Sequence, residues 1–201
     1  NVFGGITSCI EVANGIVGAL EQLGDRHADF AVSVMLDTTH VKAHQDASRH
    51  PLSAEEQKLG KTKGGNNTKI SAAVNTVGLL LSIRLVCGNL HDSKCALDTI
   101  RGLVQGRFVL ADKAYDTNAI RKHIDDADGF AVIPPKTNRV DLIEYDKEIG
   151  KTRHRVENFF CRAKRFRRIN TRYDKLPETY IGFVKICALT EWIDFDFVHA
   201  A

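Results

Sequence analysis

Short bursts of apolar residues, set at two different spacings, divide this chain of 201 residues into segments. Residues 6–23 carry Ile6, Ile10, Val12, Ile16, Val17, Leu20 and Leu23 at roughly helical intervals, and Gly24 can end that helix. Residues 31–36 form an apolar run of strand length that stops at Asp37. Residues 43–67 are polar, rich in His, Lys, Gly and Asn, and lack an apolar period. They read as a long loop or mobile insertion, a length more often functional than idle. The apolar runs 70–77 and 79–86 meet at Thr76-Val77-Gly78, which predicts a hairpin. A helix over 93–103 follows, with Ser93 as its N-cap. Then come a strand over 107–111, a helix over 117–126 capped by Thr117, and a strand over 130–133 stopped by Pro134 and Pro135. Residues 136–150 read as loop, 152–167 as a helix and 178–193 as a final apolar helix. There are no internal repeats. Strands first, then alternating helix and strand, predict a mixed α/β sheet with helices packed on it.

Bulk composition changes this picture little. The length suits one domain with a full core, and the 43% hydrophobic and 26% charged content is ordinary for a soluble globular chain. No apolar run approaches the ~20 residues a membrane helix needs, so no membrane partner is expected. Five scattered cysteines, none in a Cys-x2-Cys pair, read as reduced packing residues of a cytoplasmic protein. The net charge of +3 says less than its distribution. From Lys151 to Lys175 ten Lys or Arg residues face two acids, Glu157 and Asp174, either a phosphate-binding stripe or a solvated helix face.

Three acids stand out. Asp37 and Asp112 each follow an apolar strand-like run, where side chains project into the crevice in which α/β sheets bind ligands. Glu157 stands among bases, with Arg153 and Lys164 at spacings that place all three on roughly one helix face. Two strand-end acids on neighbouring strands would repel each other without a shared cation. Carboxylates on three separate elements suit a two-metal phosphodiester site. Other residues fit simpler roles. Asp116 reads as a helix cap, with a metal-ligand role as the alternative. His40 and His44 have zinc-like spacing but no evident third ligand. In the pair His91-Asp92, which can lie near the site, Asp92 or Ser93 is the expected cap. Phe159, Phe160, Phe166 and Trp192 are expected in the core.

Together these segments resemble the DDE transposases of bacterial insertion sequences, of the superfamily marked by the signature Tyr-x2-Arg-x3-Glu-x6-Lys. Arg153, Glu157 and Lys164 match in residue and spacing, whereas Gly150 stands at the tyrosine position and Tyr145 is the nearest tyrosine upstream. Asp112-Lys113-Ala114-Tyr115-Asp116 resembles the second-acid motif, and the segment from Asp37 to His44 resembles the first. The stretches 64–70, 88–93, 132–139 and 166–175 are also family-like, so the resemblance covers about residues 30–193.

The resemblance implies a ribonuclease-H-like fold, with the first Asp on the first strand, the second on an adjacent strand and the Glu on a later helix. It implies two Mg²⁺ or Mn²⁺ ions held by Asp37, Asp112 and Glu157, and DNA nicking followed by strand transfer. Arg153, Lys164, Arg165, Arg167, Arg168, Lys113 and Lys69 are the candidate DNA contacts. The implied partners are double-stranded DNA, as insertion-sequence ends and target, and a further copy of the chain on that DNA. Residues 1–30 read as an N-terminal helical remnant, 31–193 as the catalytic domain and 194–201 as a tail. An upstream DNA-binding region would come from a separate or missing segment, and the protein would act in the bacterial cytoplasm at the nucleoid. Two alternatives remain: a ribonuclease-H-like nuclease without strand transfer, and an inactive DNA-binding remnant.

Overall fold

The computed structural model describes residues 15, 18, 32–49, 51–139 and 143–199. The expected helix over 6–23 lies outside the described residues, apart from Gly15 and Gly18, which are helical. A seven-stranded mixed sheet forms the centre. Strand β1 (Ser33–Ala43) runs antiparallel to β3 (Gly65–Val74) and parallel to β5 (Phe108–Leu110). Beyond β5 lies parallel β6 (Phe130–Val132), and beyond β3 lies antiparallel β4 (Leu80–Cys87). Short β2 (Gly60–Thr62) also pairs with β3, and β7 (Thr171–Arg172) joins the far end of β1 in parallel.

Side-chain alternation along the strands divides the core into two layers. On one face Met35, Val41, Ile70 and Leu110 pack against α4 (His154–Ala163) and α6 (Pro177–His199) through Val156, Phe159, Phe160, Tyr180 and Val184. On the other, Val34, Leu36, Val109 and Ala111 pack against α1 (Asp92–Ile100) and α2 (Asn118–Asp125) through Ala96, Ile100, Ile120 and Ile124. In α4 the buried positions 156, 159, 160 and 163 repeat at i, i+3, i+4 and i+7, which lays one stripe of the helix on the sheet. Helix α6 begins with Pro177, whose fixed φ suits a first helical position, and Trp192 anchors it by donating from Nε1 to Leu80 O at 2.8 Å.

Several expectations hold. The β3–β4 hairpin forms, and Asn75 closes its turn by accepting from Val77 N at 3.1 Å and Leu79 N at 2.9 Å. Gly78 lies in the left-handed region at φ 89°, where a β-carbon would be strained. Thr117 caps α2 by accepting from Ile120 N at 3.2 Å.

Others are corrected. Strand β1 does not stop at Asp37 but continues to Ala43, because β3 pairs with it as far as Lys42↔Asn67. The 43–67 stretch is not a loop. It holds a 3-10 turn (Gln45–Ser48), strand β2 and the start of β3. Among its described residues the buried apolar anchors are Ala47 and Leu59, too widely spaced to mark a period, and polar bonds supply much of the rest of its hold. Thr68 Oγ1 donates to Lys58 O at 2.7 Å, and buried Arg172 donates from Nη1 to Gln57 O at 2.8 Å. Residues 147–150 form a helical turn, α3 (Lys147–Gly150). The expected 152–167 helix is a 3-10 turn (Lys151–Arg153) and α4, then a separate α5 (Arg167–Asn170) after extended Phe166. Phe166 is 55% exposed rather than in the core. His91 caps α1, accepting at Nδ1 from Ser93 N, so neither Asp92 nor Ser93 is the cap. Residues 194–199 continue α6, not a tail.

Candidate active site

Asp37 is the fifth residue of β1 and shares the parity of Met35 and Val41, so alternation turns it toward the face that α4 covers. Asp112 lies two residues past Leu110 in β5. The register pairs Met35 with Leu110, and carried two residues on it brings Asp112 alongside Asp37. Adjacent strands lie about 4.8 Å apart, close enough for the two charges to interact. One Asp112 carboxylate oxygen accepts from Ala114 N at 2.7 Å and caps the 3-10 turn Lys113–Tyr115, which fixes how that side chain leaves the strand. Glu157 is in the first turn of α4, next to buried Val156, with its side chain about half exposed.

Arg153 joins two of the three acids. Its Nη1 donates to Asp37 Oδ2 at 3.2 Å, and its Nη2 forms a short contact with Glu157 Oε1. Asp37 Oδ1 also accepts from Thr38 N at 2.8 Å. Burial raises the Asp37 pKa above the usual carboxylate range. The Thr38 bond and the Arg153 charge offset part of that rise, while Asp112 and Glu157 add to it by repulsion. Lys164, the C-cap of α4, donates from Nζ to Thr39 Oγ1 at 2.5 Å and His40 O at 3.0 Å, and its desolvation lowers its pKa. Arg153, Glu157 and Lys164 therefore share a face, as their spacing predicts, and the two bases grip β1 on either side of the acid.

Three carboxylates on separate elements are hard oxygen donors of the kind Mg²⁺ and Mn²⁺ accept, and Asp37 and Glu157 already share one cation, the Arg153 guanidinium. The residues thus fit a divalent ion. Among the described residues no three His, Cys, Asp or Glu side chains stand together in ligating geometry. A cleft of about 430 Å³ opens beside Asp112, lined by Val132, Pro134, Tyr145 and the cations Lys113, Lys151 and Arg153. A β-carbon on Gly150 would lie 3.5 Å from Tyr145 Cε2, so a tyrosine ring covers the position where the signature has tyrosine.

The structure does not bring every sequence candidate to this site. Lys69 is 7% exposed, and its Nζ donates to Leu90 O at 2.6 Å and Asp92 Oδ1 at 2.7 Å, so it is a buried ion-pair lysine rather than a DNA contact. Arg168 pairs with buried Asp174 and stacks 3.8 Å over the Phe183 ring. Lys113, Arg165 and Arg167 are exposed. Tyr115 is 1% exposed and packs in the core layer under α1 and α2. His40 Nδ1 lies 3.2 Å from Asn67 Oδ1, and His44 caps the 3-10 turn after β1, which leaves no zinc pair.

Asp116 is not the N-cap of α2, which Thr117 supplies, but it C-caps the 3-10 turn after Asp112 and its carboxylate is spent on cations. Its fully buried carboxylate accepts from Arg121 Nε at 2.6 Å, Lys136 N at 2.8 Å and Arg139 Nε at 2.9 Å. These bonds hold its pKa down at about 2 against the opposing effect of burial. The network ties the turn that follows Asp112 to the loop after β6, which lines the cleft. Sequence reasoning missed it, although the 132–139 stretch that supplies Lys136 and Arg139 is family-like. Asp92, which the sequence expectation made a candidate cap, is instead destabilised by burial and held in its charged form by Lys69 and Thr38.

Comparison with known proteins places the chain in a family. The family described as transposase DDE domain matches residues 30–190. A protein of Brucella ovis named as a transposase for insertion sequence element IS6501 is 33% identical over 127 residues, covering 63% of this chain and 98% of the relative. Among solved structures, the catalytic domain of Mos1 mariner transposase aligns over 92% of this chain and 94% of its own at 11% identity and a TM-score of 0.35. The Mos1 paired-end complex with Mn aligns over 91% of this chain and 61% of its own, at 9% identity and a TM-score of 0.39. The chain folds as a mixed α/β sheet flanked by helices, and the family match over residues 30–190, most of its length, shows that it belongs to the DDE transposases.

Proposed function

We propose that Asp37, Asp112 and Glu157 hold two divalent ions, Mg²⁺ or Mn²⁺, and that the site nicks double-stranded DNA and then transfers the cut strand to a target. The observation that carries this reading is the convergence of Asp37 and Asp112 at one sheet face with Glu157 bridged to Asp37 through Arg153. Bound there, such ions would activate an attacking oxygen and stabilise the leaving 3′-oxygen.

The chain's own residues supply positioning. Asp112 is fixed by its bond from Ala114 N, and Lys164 holds β1 against α4 through Thr39 and His40. Exposed Lys113, Arg165 and Arg167 provide cations for DNA phosphates, which set register without reading sequence. The DNA partners are insertion-sequence ends and target duplex, on which a second copy of the chain would assemble.

The test is Mg²⁺-dependent nicking of supercoiled plasmid. Asp112→Asn keeps the side-chain shape but removes the charge, and it should abolish nicking while leaving DNA binding intact. A variant that nicks like the parent removes Asp112 from the site. Joining of a labelled 3′-hydroxyl end to plasmid separates strand transfer from hydrolysis: cutting without joining would make the protein a nuclease.

A further inference from the structure

Arg153 is the cation that the Asp37 and Glu157 carboxylates share. Its two terminal nitrogens reach carboxylates on different elements, Asp37 of β1 and Glu157 of α4. The planar fork of a guanidinium is suited to two such acceptors at once. A divalent ion held by Asp37 and Glu157 would compete with Arg153 for the same two carboxylates and be repelled by its charge, so each arrangement would disfavour the other. Arg153 is also no part of the buried core. Its side chain is 27% exposed, it ends the 3-10 turn Lys151–Arg153, and it lines the cleft beside Asp112 together with Lys113 and Lys151. A phosphate in that cleft would offer the guanidinium a second bidentate partner at little cost in position.

We infer that Arg153 is an exchangeable counter-ion, which neutralises Asp37 and Glu157 when DNA is absent and passes to a DNA phosphate when DNA is present. Metal binding and DNA binding then reinforce each other, because DNA phosphate draws Arg153 away from the acids and metal on the acids frees Arg153 for phosphate. The coupling is reciprocal by thermodynamic necessity. This regulation rests on the metal site proposed above. It disfavours loading of the acids in the free protein and couples metal loading to the presence of duplex.

The experiment measures Mn²⁺ binding by calorimetry, with and without a saturating random-sequence duplex, for the parent chain and Arg153→Gln. In the parent, duplex should tighten Mn²⁺ binding roughly tenfold, inside the common coupling range of about 5–150-fold. Arg153→Gln should bind Mn²⁺ about tenfold tighter than the parent without duplex, and duplex should add little further. Its metal-free melting temperature should fall, since the acids lose their counter-ion, and should rise more than the parent's on adding Mn²⁺. Lys151→Gln removes the same charge two residues away, where the lysine pairs with Glu148, and should leave Mn²⁺ affinity within about twofold of the parent. If Arg153→Gln binds Mn²⁺ no tighter than the parent without duplex, the counter-ion role is overturned and the metal site stands. An equal gain from Lys151→Gln overturns it as well. A parent that binds no Mn²⁺ in either condition overturns the metal site, and the counter-ion role with it.

Discussion

Replacing Asp116 with Asn removes one negative charge from a pocket that holds two guanidiniums. The Asp116 side chain is fully buried, and those of Arg121 and Arg139 are each only 14% exposed. Breaking a buried pair on one side commonly costs about 3–5 kcal/mol, because the remaining charges stay desolvated without a partner. The pKa gives a separate figure. A fall from the ordinary 3.8 to about 2 corresponds to about 2 kcal/mol of stability at neutral pH, at roughly 1.4 kcal/mol per pH unit. Because the folded pKa is depressed, this contribution is present above the unfolded value and is lost as pH falls toward 2, with about half gone at pH 3. Asp116→Asn should therefore lower unfolding free energy by about 3 kcal/mol at pH 7 in urea titrations. The gap to the parent should narrow by about 1 kcal/mol at pH 3. Mn²⁺ affinity of the folded variant should stay near that of the parent, since Asp116 is spent on cations of its own. A loss under about 1 kcal/mol, or a gap unchanged between pH 7 and pH 3, would refute the buried-hub account; a collapse of metal affinity would return Asp116 to the candidate ligands.

Asp37 has the opposite sign: its raised folded pKa favours the protonated form, so stability is lost as pH rises from the unfolded value through the folded one. In chelator, Asp37→Asn should melt higher than the parent at pH 7 and lose that advantage below about pH 4; a lower melting point at pH 7 would refute it. Arg165→Ala with Arg167→Ala should reduce the salt dependence of duplex binding by up to about 1.8 in log–log slope, at about 0.9 per phosphate contact. An unchanged slope in filter binding would move the DNA path elsewhere. Arg168→Ala should instead lower the melting temperature, because it leaves Asp174, which is only 5% exposed, without its guanidinium; a melting point equal to the parent's would show the pair to be idle.

The three acids stand out in the sequence because each sits where local pattern breaks: Asp37 and Asp112 follow apolar runs, and Glu157 interrupts a basic one. The β3–β4 hairpin and the Thr117 cap were legible for a similar reason, since turn and cap chemistry is written within a few residues. What escaped was polar and long-range. Strand β1 past Asp37 is held by backbone pairing to β3, while its polar side chains find partners in Asn67 and Lys164. No apolar alternation announces such a strand. The 43–67 segment is secured by Arg172, more than a hundred residues away in sequence. Lys69 looked like a surface base because its counter-ion Asp92 lies 23 residues on, across a hairpin. The Arg153 bridge spans 116 residues, whereas helical spacing reveals only its Glu157 half.

Strand β1 sets an order on how the chain can be completed during synthesis. It is made early, yet its neighbours are drawn from residues 67–74, 108–110 and 171–172. On a ribosome the antiparallel partner arrives first, and β1 then waits with its other edge unpaired until β5 emerges. An unpaired edge is a template for another chain, so this interval is when association between nascent copies is most favoured. Among the described elements, α6 is made last, and its Trp192 reaches back to Leu80. The face that holds Asp37 therefore gains its full cover only after Glu157 and everything up to Trp192 have been made, which keeps a half-built chain from presenting a finished site.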